Sequence, residues 1–157
     1  MSDLFVRRAT LGDVENMHAL INAFASKGLM LPKSRNHLYQ NIRDFFVAEK
    51  EGEFAGCGAL HILWNDLGEI RSLAVDERFQ GNGVGRQIVK ALIQDAIDLK
   101  LPLVFALTYQ QVFFEHLGFR ETEKETMPRK VWGECMDCPK FPNCDETAVV
   151  LRLGSWE

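Results

Sequence analysis

The sequence predicts an α/β protein whose first strands are antiparallel neighbours. Segments with strand and helix patterns follow one another in the order β-α-α-β-β-β-α-β-α-β-β. Short turns link the strands of the first half, as in antiparallel hairpins. A glycine-spaced run at 80–86 joins an apolar strand to an amphipathic helix in the middle of the chain. Together these features favour a sheet with helices packed against it.

The N-terminal elements are one strand and two helices. Residues 4–8 have a strand pattern, and Thr10 or Asp13 is placed to cap the helix that follows. That helix has apolar residues at helical spacing, namely Val14, Met17, Leu20, Ile21 and Phe24. Ser34 is the expected N-cap of a second helix over 35–45.

Hairpin-linked strands come next. Strand patterns over 46–49 and 54–63 are joined by a turn at 50–52, which contains the glycine that hairpin turns prefer. A second turn, over 65–68, leads into the strand at 69–75. The helix after the glycine run carries one apolar face, as packing on a sheet requires: Val84, Ile88, Leu92, Ile93, Ala96 and Leu99.

The C-terminal elements are shorter. Residues 103–107 form an apolar strand, and a short helix over 112–117 ends at Gly118, a typical C-cap glycine. Extended structure resumes after that glycine, and 148–153 form the last strand. The stretch at about 121–146 is polar and rich in Pro and Cys, which predicts a long irregular excursion.

Length and composition narrow the class of protein. A chain of 157 residues is expected to form a single domain over 1–157 with a sizeable core. The net charge of −4 argues against a general nucleic-acid binder, which would present a basic face. The sequence contains no apolar run long enough to span a membrane, and its first residues lack a signal-peptide pattern. We therefore expect a cytoplasmic protein with no nucleic-acid or membrane partner and with reduced cysteines.

The glycine run predicts an anion site. Glycines between a strand and a helix let backbone N–H groups approach a phosphate, and the helix N-terminus favours negative charge. A dinucleotide-binding domain normally opens with its glycine fingerprint, whereas this run comes late and follows hairpin-linked strands. A P-loop is excluded because no Gly-Lys-Ser/Thr closes the run.

The spacing of Gln80, Gly83 and Gly85 resembles the acetyl-CoA pyrophosphate loop of the GNAT N-acetyltransferases. Residues 117–119, Leu-Gly-Phe, resemble that family's motif near its fourth helix, and 69–75 resemble its fourth strand. The resemblance covers nearly the whole chain. It implies the GNAT fold, with a mixed, mostly antiparallel sheet of six to seven strands flanked by about four helices. It also implies acetyl-CoA as cosubstrate and a small-molecule amine as acceptor. Many members are dimers, so a homodimer is compatible with it.

Within that superfamily, two segments resemble the acetyltransferase domain of the N-acetylglutamate synthases. They are 28–35, which is similar to Gly-Ile-Leu-Val-x-Arg-Ser-Arg, and 105–108, which is similar to Phe-Val-Leu-Thr. The likeness implies a short, stand-alone enzyme that acetylates L-glutamate in arginine biosynthesis. Residues 143–146 include acids where the synthases have a basic segment. Another amine, such as a different amino acid, a polyamine or a protein N-terminus, therefore stays open as the acceptor. A non-catalytic CoA-binding regulatory domain also stays open.

The resemblance assigns the donor site to the glycine loop and the fourth strand. Backbone amides of the loop would hold the pyrophosphate, and the main chain of 73–75 would pair with pantetheine and help to stabilise the oxyanion. Phe114 occupies the position at which many members have a tyrosine that protonates the leaving thiolate. The implied CoA-binding residues are Leu73, Ala74, Val75, Gln80, Gly81, Asn82, Gly83, Val84, Gly85, Arg86 and Phe114.

The acceptor side requires a base and cations. Glu69 is the candidate general base, because some members carry a glutamate at the start of this strand and a partly buried carboxylate accepts a proton more readily. A glutamate acceptor carries two carboxylates, which cations recognise. The candidates for substrate binding are Lys33, Arg35, Arg71 and Lys130.

The cysteines allow a second interpretation of the excursion. Cys135 and Cys138 have the spacing of a thiolate metal site, and Cys144 follows in the same stretch. The excursion supplies only these three thiols; His61 or Asp145 could serve as a fourth ligand, but no spacing demands one. Free thiols, or a disulfide formed on oxidation, are therefore favoured over a metal site. Cys57 lies in an apolar strand and is expected to be a small core residue.

Overall fold

The computed structural model describes residues 3–123 and 146–154. Its helices and strands follow in the predicted order. The strands are β1 (Leu4–Arg8), β2 (Phe45–Lys50), β3 (Glu53–Trp64), β4 (Leu67–Val75), β5 (Leu103–Thr108), β6 (Arg120–Thr122) and β7 (Thr147–Arg152). The α-helices are α1 (Val14–Ala25), α2 (Arg35–Gln40), α3 (Val84–Asp98) and α4 (Gln111–Glu115).

The described strands form one seven-stranded sheet in the order β1-β2-β3-β4-β5-β7-β6. Strand β2 is antiparallel to both β1 and β3, and β7 is antiparallel to both β5 and β6. The parallel pair is β4 with β5, whose register partners are Gly68 with Val104 and Glu69 with Phe105. The mixed, mostly antiparallel sheet with four helices confirms the predicted fold class.

The chain forms two compact units. The first comprises Met1–His61 and Ile70–Asp95, and the second comprises Ile62–Glu69 and Ala96–Glu157. That the whole chain is a single domain stays a prediction. The first unit buries one face of its strands under α1 and α2, in a core that includes Val14, Met17, Ile21, Leu38, Phe45, Val47, Cys57 and Ala59. The second unit has a smaller core around Leu67 and Phe105.

Two glycines of β3 allow α3 to pack closely on the other face of the first unit. A Cβ added at Gly56 would lie 2.7 Å from the backbone oxygen of Ala74, and one at Gly58 would lie 2.8 Å from Cγ2 of Ile88. The first clash is with the backbone, and the second is with a methyl group that is attached directly to Cβ of the fully buried Ile88, so both would require a costly shift. The apolar pattern of β3 predicts a strand but does not reveal this close approach.

We expect Gly56→Ala to lower the free energy of unfolding by about 3 kcal/mol, because the backbone of β4 must move to admit one methyl group. Gly12→Ala is the control and should change it by less than about 0.5 kcal/mol, since a Cβ at Gly12 would meet only the hydroxyl of Thr10, at the ordinary contact distance of 3.8 Å. Urea unfolding followed by circular dichroism measures both values. Equal losses for the two variants would contradict this account of the packing.

An ion-pair network fixes the start of α1. The guanidinium of Arg7 donates to both carboxylate oxygens of Asp13, at 2.8 and 2.9 Å, and to Glu49 of β2 at 2.7 Å. Asp13 also accepts from the backbone N–H of Thr10 at 2.7 Å, as in a capping box of the 3-10 turn Leu11–Asp13, whereas α1 itself receives no side-chain capping bond from Asp13, its N-cap residue. The hydrogen bond from Arg7 is the main reason that the pKa of Asp13 lies below its usual range, and burial opposes it.

This network predicts a pH dependence of stability. The folded-state pKa of Asp13 is depressed, so its contribution is present above the unfolded pKa of about 3.9 and is lost as the pH falls through the folded value. Asp13→Asn should lower the free energy of unfolding by about 1–2 kcal/mol at neutral pH, and by less at about pH 2–3. Urea titrations at the two pH values test this, with Glu77→Gln in the exposed Lys27–Glu77 pair as control. If Asp13→Asn lowered the free energy of unfolding by the same amount at both pH values, the prediction would be contradicted.

Two predicted boundaries are wrong. The second helix ends at Gln40 rather than at residue 45, because a short 3-10 turn follows and Phe45 enters β2, where it is buried. Gly68 lies inside β4, since the hairpin closes in the two residues Asn65 and Asp66. Of the excursion predicted over about 121–146, Glu121 and Thr122 belong to β6, and residues 124–145 lie outside the described residues.

Candidate active site

The glycine run forms an exposed loop between the end of β4 and the start of α3, and these parts of both elements belong to the first unit. Gly81 and Gly83 have φ values of +83° and +79°, and a Cβ built on either one meets no atom within 4 Å. Positive φ at these positions explains the glycines, because other L-residues adopt it at a cost. The helical hydrogen bonds of α3 begin at Gly83, whose carbonyl accepts from the N–H of Gln87 at 3.1 Å. The first backbone N–H groups of α3 are therefore directed at the loop.

Polar side chains of the loop hold it against the end of β4. The amide of Gln80 donates to the carbonyl of Val75 at 3.2 Å, and the amide of Asn82 donates to that of Phe79 at 3.1 Å. Before the loop, the carboxylate of Asp76 accepts from the N–H of Arg78 at 3.0 Å. The side chains of Gln80 and Asn82 thus satisfy carbonyl groups next to the loop. The loop backbone with positive φ remains able to face an anion.

Strand β4 is irregular immediately before the segment that the resemblance assigns to pantetheine. Ser72 has φ +55°, which is costly for a residue other than glycine. Its carbonyl accepts a hydrogen bond from the thiol of Cys57, with 3.6 Å between sulfur and oxygen. Burial raises the pKa of Cys57 to about 12, so the thiol keeps its proton and remains a donor. Cys57 is fully buried, which confirms the prediction of a core residue.

The second unit contains two residues predicted to lie near the reacting groups. Glu69 is the candidate general base, and Phe114 occupies the position at which many members of the family have a tyrosine. Glu69 is 6% exposed and lies opposite Phe105 in the parallel pair. Phe114 is 3% exposed and contacts Phe113 and Phe119 edge to face, with ring centroids 5.1 Å apart in both pairs. Phe114 therefore packs in an aromatic cluster, and its side chain has no proton to donate.

The predicted substrate-binding cations differ in their surroundings. Lys33 is 9% exposed, and its backbone N–H and C=O are both hydrogen-bonded to the side-chain amide of Asn22, at 3.2 and 2.8 Å. Arg35 is exposed and forms a bidentate ion pair with Glu15 at 2.8 and 3.0 Å, which raises the pKa of the guanidinium. Arg71 is half-buried on β4. Lys130 lies outside the described residues.

Lys33 and Arg71 both act electrostatically on His37, a histidine that the sequence analysis did not select for substrate binding. Burial lowers the pKa of His37 most, and the charges of Lys33, Arg71 and His61 lower it further, while Asp44 raises it. Asp44 also lies 3.0 Å from Nδ1 of His61. We call Lys33, His37, His61 and Arg71 the basic cluster.

One feature of the sequence could have indicated His61. It follows Cys57 and Ala59 at a spacing of two, so it continues the face of β3 that is buried in the first unit. A polar residue at the end of a buried apolar face requires a partner, which here is Asp44. His37 has no comparable signal, because it lies in a short helix of mixed polarity.

Within 3–123 and 146–154, no group of three or more His, Cys, Asp or Glu side chains is placed to hold a metal ion. The Cys135, Cys138 and Cys144 stretch lies outside the described residues. In the part of the chain that the structure describes, none of the helices has the length and apolar character that a membrane crossing demands.

The model of the acetyltransferase (GNAT) family matches residues 14–119, which include β4, the glycine loop and α3. The chain belongs to the GNAT acetyltransferase family. As a GNAT protein it is an acetyl-CoA-dependent N-acetyltransferase, which confirms the predicted enzyme class and cosubstrate.

Two curated relatives of this GNAT enzyme resemble it over most of its length. An uncharacterized N-acetyltransferase of Chlorobaculum tepidum is 40% identical over 152 residues, which are 97% of this chain and 98% of the relative. An amino-acid acetyltransferase of Mycobacterium tuberculosis is 44% identical over 132 residues, 82% of this chain and 75% of that one.

Two solved structures have the same fold. A Mycobacterium tuberculosis protein in complex with CoA and NLQ is 38% identical, with a TM-score of 0.83 over 95% of this chain and 99% of that one. The N-acetylglutamate synthase of Neisseria gonorrhoeae, complexed with CoA and N-acetyl-glutamate, is 28% identical with a TM-score of 0.85. The match covers 96% of this chain and 35% of the synthase, so the likeness concerns one part of a longer protein.

Proposed function

We propose that this GNAT enzyme transfers the acetyl group of acetyl-CoA to the amino group of L-glutamate, as a cytoplasmic enzyme of arginine biosynthesis. The observation that carries the proposal is the basic cluster, in which Lys33 and Arg71 lie in the same compact unit as the glycine loop. An amino-acid acceptor presents carboxylate to such cations, whereas a polyamine would be repelled by them.

The relatives support an amino-acid acceptor. One is named amino-acid acetyltransferase, and the gonococcal synthase was solved with N-acetyl-glutamate, in which glutamate carries the acetyl group. The resemblance of 28–35, which contains Lys33, to the segment of the N-acetylglutamate synthases supports the same acceptor. The homodimer that the resemblance allows stays a prediction, which light scattering would test.

The donor would bind through the backbone. The N–H groups of the loop from Gln80 to Arg86 would hold the pyrophosphate, with the start of α3 adding its dipole. The main chain of Leu73–Val75 would pair with pantetheine and supply an oxyanion donor. The bond from Gln80 to Val75 supports this arrangement, because it ties the loop to that part of β4.

The chemistry would be a direct transfer in a ternary complex. The amine of glutamate loses its proton to Glu69, directly or through water, and attacks the thioester carbonyl. Backbone donors stabilise the tetrahedral oxyanion, which collapses and expels the CoA thiolate. Because Phe114 cannot donate a proton, the thiolate would leave unprotonated, which a thiol pKa of about 8.5 permits near neutral pH.

A thiol-release assay tests the acceptor. The enzyme is incubated with acetyl-CoA and, separately, with glutamate, glutamine, lysine and pentane-1,5-diamine, and free CoA thiol is followed. We expect the highest kcat/KM with glutamate and little release with the diamine. Faster turnover with the diamine than with glutamate would overturn the proposed acceptor. CoA binding without release for any acceptor would overturn catalysis by this mechanism.

A further inference from the structure

The loop between α1 and α2, residues 26–34, is tied at its far end to the helix that precedes it. The side-chain amide of Asn22, near the end of α1, donates from Nδ2 to the carbonyl of Lys33 at 2.8 Å. Its Oδ1 accepts from the backbone N–H of Lys33 at 3.2 Å. One side chain therefore holds both backbone polar groups of Lys33, immediately before Ser34, the cap of α2.

The amide of Asn22 is matched to these partners. Its nitrogen also donates to the carbonyl of His18, one turn earlier in α1, at 2.9 Å. An amide nitrogen only donates and an amide oxygen only accepts, so the three bonds determine which end of the amide faces each partner. Lys33 is buried, and a buried backbone group that loses its hydrogen bond costs free energy. An apolar side chain of similar shape could fill the space but could not replace these bonds.

The middle of the loop lies beside the turn that leads into the glycine run. The Nζ of Lys27 forms an ion pair with the carboxylate of Glu77 at 2.8 Å. Glu77 belongs to the 3-10 turn Glu77–Phe79, which directly precedes the glycine run. Met30 packs against the core of the first unit. These contacts place the loop next to the proposed donor site, within the first unit and independently of the resemblance.

We propose that Asn22 is a positioning residue for acetyl transfer, because its amide holds the backbone of Lys33 and so sets the position of the loop end that faces the acceptor. The inference rests on the proposed function, in which Lys33 and Arg35 are candidate acceptor-binding residues. Asn22 acts through the backbone and contacts neither substrate. Its effect extends to α2, since Ser34 follows Lys33 directly and accepts from the N–H of His37 at 3.0 Å.

Loss of the Asn22 amide would release this end of the loop without removing a charge from the site. A released loop samples more backbone conformations, and the acceptor would have to order it on binding. The expected consequence is weaker productive binding of the acceptor. The glycine run keeps its own hydrogen bonds, so binding of acetyl-CoA should not change.

Asn22→Leu is the test variant, because leucine has the same branching at Cγ and lacks every hydrogen bond of the amide. We expect the KM for the acceptor to rise about tenfold, while the KM for acetyl-CoA stays within about twofold. Thiol release with each substrate varied in turn measures both constants. The acceptor is glutamate and, in a parallel series, whichever amine of the acceptor panel gives the highest kcat/KM.

Hydrogen exchange gives a readout of the clamp that does not depend on turnover. In the unmodified enzyme the amide N–H of Lys33 should exchange at least about tenfold more slowly than an unprotected loop amide, because Asn22 accepts from it. In the Asn22→Leu variant this protection should be lost. Nuclear magnetic resonance resolves the exchange of this single amide, and the measurement on the unmodified enzyme needs no variant.

Two controls on α1 separate positioning from a loss of stability. Ile21→Val removes a methylene group from a fully buried neighbour of Asn22 and should lower the midpoint of thermal unfolding by about 2–4 °C. Ser26→Ala removes a hydrogen bond to the carbonyl of Ala23, at 2.7 Å, that does not reach Lys33. Both variants should leave the two KM values within about twofold. Thermal unfolding of each variant shows whether it folds.

The outcomes separate this inference from the proposed function. An unchanged acceptor KM in folded Asn22→Leu, or an unprotected Lys33 amide in the unmodified enzyme, would overturn the inference even if glutamate is acetylated. A raised KM for another amine of the panel would support it even if glutamate is not the acceptor. An equal rise in the KM for acetyl-CoA would contradict a role confined to the acceptor side. Absence of thiol release with every amine would overturn both proposals.

Discussion

Replacing Glu69 with glutamine is expected to lower kcat for acetyl transfer about 100-fold or more, because a general base contributes factors of this size. Glutamine keeps the shape of the buried side chain but cannot accept the proton of the attacking amine. Dissociation constants for CoA should stay within about twofold, since the base acts on the acceptor. Stopped-time assays of thiol release, together with calorimetry for CoA, measure the two effects.

Glu121→Gln supplies the control for this substitution. Glu121 is an exposed glutamate on β6, where it accepts a hydrogen bond from Gln111, and it belongs to the same unit as Glu69. Its replacement makes the same change of charge without touching the proposed chemistry, so kcat should not change. An unchanged kcat in the Glu69 variant would remove that residue from the mechanism.

Gly83→Asp is expected to weaken CoA binding about 30-fold, equivalent to about 2 kcal/mol. The substitution places a carboxylate in the loop that is proposed to hold the pyrophosphate, and like charges at short distance repel. Aspartate is among the residues that tolerate positive φ, so the loop should keep its backbone conformation. Calorimetric titration with CoA gives the change.

A glycine elsewhere in the chain provides a control that separates the effect of the added charge on CoA binding from the effect of backbone strain. Gly52 in the turn between β2 and β3 has the same φ of +79°, and a Cβ there also meets no atom within 4 Å. Gly52→Asp should therefore lower the free energy of unfolding by a similar amount, because the strain at positive φ is the same. The dissociation constant for CoA should stay within about twofold. Equal weakening of CoA binding by the two substitutions would contradict the role given to the loop.

The order of helices and strands could be predicted because periodic apolar patterns and turn residues are local. Ser34 caps α2 through its hydroxyl, which accepts from the N–H of His37 at 3.0 Å, and Gly118 has φ +99° at the end of α4, as expected. The predicted end of the second helix is wrong because the apolar side chain of Phe45 suits both a helix face and the buried face of β2. Tertiary packing, which places Phe45 in the core, decides between these alternatives.

The site was less predictable than the fold. The glycine loop has a local signal, since positive φ demands glycine. The conformation of Ser72 has none, because serine does not signal a positive φ within a strand. Lys33, Arg35 and Arg71 are all basic, so composition alone could not show that Arg35 pairs with Glu15 while the other two act on His37. Long-range contacts, rather than local pattern, distinguish them.

Initial-rate kinetics with both substrates varied test the central claim most directly. Acetyl-CoA and L-glutamate are each titrated at several fixed concentrations of the other, and the formation of N-acetylglutamate is confirmed by mass spectrometry. A direct transfer in a ternary complex predicts intersecting double-reciprocal lines and one N-acetylglutamate for each CoA thiol released. Parallel lines, which indicate an acetylated enzyme, or the absence of N-acetylglutamate at saturating concentrations of both substrates, would contradict the account.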